Sequence, residues 1–64
     1  MTETQAKMAY LAKAGEKALP ATSAVFVKGA GTRMAQVKDA SGRRLALVID
    51  TKKGFTIDLV KKLH

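Results

Sequence analysis

Lys38 and Arg44 carry the most pointed chemistry in the chain. Between them lies Asp39-Ala40-Ser41-Gly42, a turn signal in which the Asp carboxylate can bond back to the backbone and Gly can take the left-handed conformation that closes a hairpin. Such a hairpin sets Lys38 opposite Arg44, and like charges held face to face repel unless an anion lies between them or both splay into water. Lys28, Arg33, Arg43, Lys52 and Lys53 extend the same positive field around the ends of the expected sheet. Arginine adds a planar fork that matches phosphate oxygens and guanine edges. The candidate nucleic-acid contacts are therefore Lys28, Arg33, Lys38, Arg43, Arg44, Lys52 and Lys53, with duplex DNA the favoured polyanion.

The residue types that reactions need are scarce. His64 is the only histidine and stands last, and there is no cysteine, so neither a nucleophile with its base nor a thiolate zinc site nor a disulfide framework can be assembled. The carboxylates have structural explanations. Asp39 and Asp50 begin turns, Asp58 falls where a helix N-terminus favours an acid, and Glu3 and Glu16 flank a helix as solvated charges. Gly29-Ala30-Gly31 leads into a strand, whereas glycine loops that cradle phosphate open a helix. No catalytic site, metal site or cofactor is expected, and the chain reads as a binding protein rather than an enzyme.

Charge is unevenly spread. The 64 residues hold 12 Lys and Arg against 5 Asp and Glu, a net +7, of which residues 1–27 supply +1 and residues 28–64 supply +6. Of 30 apolar residues 11 are alanine, leaving 19 larger side chains for a core. A domain this small buries only about 60% of the surface its unfolded chain exposes, so a second copy would add stability and a homodimer is possible. The expectation is one small basic domain over residues 1–64. No uncharged stretch approaches the roughly 20 apolar residues that span a bilayer. Lys7, Lys13, Glu16 and Lys17 also interrupt the N-terminal segment in a way that a signal peptide does not tolerate. No membrane partner and a cytoplasmic location follow as expectations.

The elements that must position these groups form an α+β pattern. Thr4, Met8, Leu11, Ala12, Gly15, Ala18 and Leu19 share one side of a helix, with Thr2 and Gln5 at capping-box spacing and Pro20 ending it. Tyr10 falls on the polar side of that helix. Three antiparallel strands follow as a meander: Thr22–Lys28, Arg33–Lys38 and Arg43–Asp50. In the favoured register Val37 faces Leu45 and Ala35 faces Leu47 on the apolar side, while Gln36 faces Ala46 and Met34 faces Val48 on the other. For the first strand, either Ala24 and Phe26 or Val25 and Val27 point inward. Phe26 and Phe55 are assigned to the core. A short C-terminal helix over residues 55–63, with Thr56 as cap and Lys61, Lys62 and His64 in its last turn, is preferred to the alternative of a fourth strand.

A sheet of three strands followed by a helix is similar in outline to the sheet-reading DNA-binding domains of tyrosine recombinases and plant ethylene-response factors. The similarity is one of architecture and rests on no residue motif. Two functions of different class follow. One is a nucleic-acid-binding accessory or regulatory protein that neutralises duplex phosphates. The other is an inhibitor or adaptor module that docks the mixed face Met34, Gln36, Ala46 and Val48 on an acidic protein, with base at the rim.

Overall fold

In the computed structural model, residues 1–60 are described, and they form one helix layered on a four-stranded antiparallel sheet. Helix α1 (Glu3–Ala14) begins with the expected capping box: the Gln5 N–H donates to Thr2 Oγ1 at 3.1 Å and the Thr2 N–H donates to Gln5 Oε1 at 2.8 Å. It ends five residues before Leu19, because Gly15 adopts φ 59°, and a 3-10 turn (Gly15–Lys17) carries the chain toward the sheet. Glycine accepts that backbone conformation without a steric penalty. The strands are β1 (Ser23–Phe26), β2 (Met34–Lys38), β3 (Arg44–Thr51) and β4 (Gly54–Leu59), adjacent in chain order.

The C-terminal helix is therefore replaced, as far as residue 59, by the fourth strand. Backbone pairing decides between two patterns that both fit residues 55–59. As a strand, this segment satisfies the free edge of β3, with Val48 opposite Ile57 and Ala46 opposite Leu59. Lys61, Lys62 and His64, assigned to that helix's last turn, lie outside the described residues. With a fourth strand in place of that helix among the described residues, the outline shared with the recombinase and ethylene-response domains lapses.

The hairpin turn between β2 and β3 forms as expected. Asp39 Oδ1 accepts from the Ser41 N–H, the Ser41 hydroxyl and the Arg43 N–H, at 2.9, 2.7 and 3.0 Å, and Gly42 takes φ 86°. Lys38 stands opposite Arg44. One residue further on, the expected register fails. A bulge lets both Leu45 and Ala46 turn inward, so Val37 faces Ala46, Gln36 faces Leu47 and Met34 faces Ile49. The extra residue on β3 moves every later side chain to the opposite face.

The core lies between α1 and one side of the sheet. Ala6 and Tyr10 of the helix meet Ala24, Ala35, Val37, Leu45, Ala46 and Val48, all buried. Ala24 and Phe26 thus have the inward parity, opposite Val37 and Ala35. The buried helix face differs from the expected stripe: Met8, Leu11 and Leu19 are exposed, and Tyr10 is inside, its hydroxyl accepting from the Leu19 N–H at 2.9 Å. That bond lets a phenol sit in the core without leaving a polar atom unpaired. Phe26 and Phe55, assigned to the core, stand at its margin with about two-fifths of their surface exposed. Glu3 is not merely solvated, since its Oε2 accepts from the Ala24 N–H at 3.4 Å and ties α1 to β1.

Candidate functional site

The side of the sheet away from α1 carries no second layer among the described residues. The register arranges it in rows across the strands. Ser23, Lys38 and Arg44 make one row, and Val25, Gln36, Leu47 and Asp58 the next. Val27, whose N–H donates to the Met34 carbonyl at 2.9 Å, begins a third with Met34, Ile49 and Thr56. Val25, Val27, Met34, Leu47 and Ile49 thus form a contiguous apolar centre, with Lys38 and Arg44 at one end and Asp58 at the β4 edge. Val25 is 48% exposed, and Met34, Leu47 and Ile49 are partly exposed.

Of the residues proposed as a protein interface, the structure brings Met34 and Gln36 onto this face and removes two. Ala46 and Val48 are 1% and 0% exposed beneath the helix. Leu47 and Ile49 take their places. Residues 45 to 49 are apolar at every position, so the alternation that normally marks a strand's faces is silent there, and nothing in that run signals the bulge.

The candidate nucleic-acid contacts divide into two groups. Lys28 and Arg33 in the β1–β2 connection and Lys52 and Lys53 in the β3–β4 turn share one end of the sheet. Lys38, Arg43 and Arg44 lie at the other. From Arg33 to Lys38 the chain advances five residues, roughly 17 Å at ~3.3 Å each. Lys13 and Lys17, not among the expected contacts, join the second group as lining of a groove shared with Arg43 and Arg44. Their spacing along α1 and the turn after it gave no hint, because the helix face had to be known first.

No Lys or Arg side chain among the described residues makes an ion pair. The one salt bridge joins the Met1 ammonium to Asp50 at 3.2 Å, and the same ammonium donates to the Thr32 carbonyl at 3.1 Å. Asp50 therefore anchors the N-terminus, while Thr51 serves the turn: its hydroxyl accepts from the Lys53 N–H at 3.2 Å and donates to the Gly54 carbonyl at 2.7 Å. Asp58, expected in a helix, sits opposite Leu47 on the open face. The Asp39 carboxyl is held below its ordinary pKa, first by the Ser41 hydroxyl; desolvation, next in size, opposes this, and the Arg43 and Ser41 backbone N–H groups and the Arg43 charge add to the lowering.

Among the described residues no group of three His, Cys, Asp or Glu side chains could hold a metal ion, and no helix is long and apolar enough to cross a membrane. The class this geometry defines is a small two-layer α+β protein with an open sheet face. No family model, curated protein or solved structure shows significant similarity to the chain.

Proposed function

We propose that the protein is a small interaction module that docks the open face of its sheet on an acidic protein partner. The observation that supports this reading is the β3 bulge, which gathers Leu47 and Ile49 with Met34 and Val25 into one apolar centre bordered by Lys38 and Arg44. An apolar centre with a charged rim is the usual anatomy of a protein interface. Partner charge follows from the net +7 and from cations that have no counter-ion among the described residues. A second copy would bring two such fields together and is the poorer occupant.

Affinity chromatography of the source organism's proteins on the immobilised chain tests the reading when run beside the Met34→Glu and Arg33→Glu variants. The account expects an acidic protein whose retention is lost with Met34→Glu and only weakened with Arg33→Glu. Retention indifferent to Met34→Glu would refute it. A second reading, duplex binding through the two basic ends, is favoured by the unpaired cations alone. Binding to a DNA duplex that weakens steeply between low and physiological salt, and that survives Met34→Glu, would support that second reading instead.

A further inference from the structure

A groove of about 350 Å³ runs between the C-terminal end of α1 with its 3-10 turn and the adjoining ends of β3 and β4. Leu45 closes its floor, and Leu19, Leu59 and Val60 line it with large apolar side chains that remain 41% to 51% exposed. Its rim holds Lys13, Lys17, Arg43 and Arg44, and among the described residues no acidic side chain lines it. Asp39, the acid in the neighbouring turn, is committed to Ser41 and the Arg43 backbone. An apolar trough edged by four cations, none of them ion-paired with another described residue, is complementary to a molecule that is apolar along its length and anionic at one end.

We propose that this groove binds a single-chain anionic amphiphile, an unbranched alkyl carboxylate or its like, with the chain along Leu19, Leu45, Leu59 and Val60 and the head group among the rim cations. The lining favours such an occupant over a peptide. Two polar groups beside the floor are already engaged with the backbone, the Tyr10 oxygen accepting from the Leu19 N–H at 2.9 Å and the Val60 N–H donating to the Leu45 carbonyl at 3.0 Å. They leave little for a peptide backbone, whose buried amides need partners. The groove lies on the helix side of the sheet and shares only Arg44 with the open face.

Calorimetric titration of the full chain with hexanoate, octanoate and decanoate, each below its micelle concentration, tests the proposal, with decylammonium as the charge-reversed control. Affinity is expected to rise about fourfold per methylene, the equivalent of ~0.8 kcal/mol, and decylammonium is expected not to bind. The Leu19→Asp and Lys17→Glu variants replace exposed side chains, so both should keep the native circular dichroism spectrum and lose at least tenfold in decanoate affinity. Equal binding of decanoate and decylammonium, affinity independent of chain length, or unchanged affinity in both folded variants would each overturn it.

Discussion

The two faces of the sheet use apolar residues in opposite ways. Beneath α1 most side chains are small: Ala6, Ala24, Ala35 and Ala46 surround Val37 and Val48, and Tyr10 and Leu45 are the two large residues buried with them. On the open face stand Met34, Leu47 and Ile49, larger than most of what the core holds. Alanine lets a helix lie close to a sheet, so the covered face gains contact density in place of bulk. Larger side chains left at the surface bring no comparable gain to the isolated chain. Stability and interaction are thus assigned to different sides of one layer, and substitutions should separate them.

The largest effect is expected from Ala35→Leu. Ala35 is fully buried under the helix, and three added carbons must push α1 away from the sheet, costing about 1–3 kcal/mol. Urea unfolding should show the free energy of unfolding falling by that amount, whereas Leu47→Ala on the open face should cost ~1 kcal/mol or less. Equal losses at the two positions would erase the distinction between the faces. Next comes Tyr10→Phe, which removes the acceptor of the Leu19 N–H and should cost ~1 kcal/mol while leaving decanoate's apolar contacts in place. Thr2→Ala, which opens the capping box, should cost a similar ~1 kcal/mol and is read by thermal unfolding with loss of helical signal.

The smallest effect concerns pH. Because the folded Asp39 carboxyl has a lowered pKa, its contribution is present above the pKa of the unfolded chain and is lost as pH falls through the folded value. Acid unfolding of Asp39→Asn should therefore be less steep in the carboxylate range than that of the parent chain. An identical slope would mean that the turn does not hold the charged form.

Local signals proved legible where few residues decide the outcome. Thr2 with Gln5 marked the start of α1, and Asp39 with Gly42 marked the hairpin that sets Lys38 against Arg44. Tertiary effects decided the rest. Met8, Leu11 and Leu19 outweigh alanine in any hydrophobic stripe, yet the helix buries the side that carries Ala6 and Tyr10, flanked by Ala9 and Ala14. Residues 55–59 satisfy helical and strand periods alike, and the free edge of β3 selects the strand. The bulge at Leu45 left no trace in an all-apolar run, and it alone determined whether Ala46 and Val48 or Leu47 and Ile49 form the candidate interface.

The central claim is that the open face, not the charge as such, selects the partner. A photo-crosslinking amino acid placed at position 47, with position 12 on the outer surface of α1 as control, tests it most directly in cells of the source organism. The account predicts protein adducts from position 47 to an acidic partner, absent from position 12 and abolished by Met34→Glu. Equal labelling from both positions, or adducts from position 47 that persist with Met34→Glu, would contradict it.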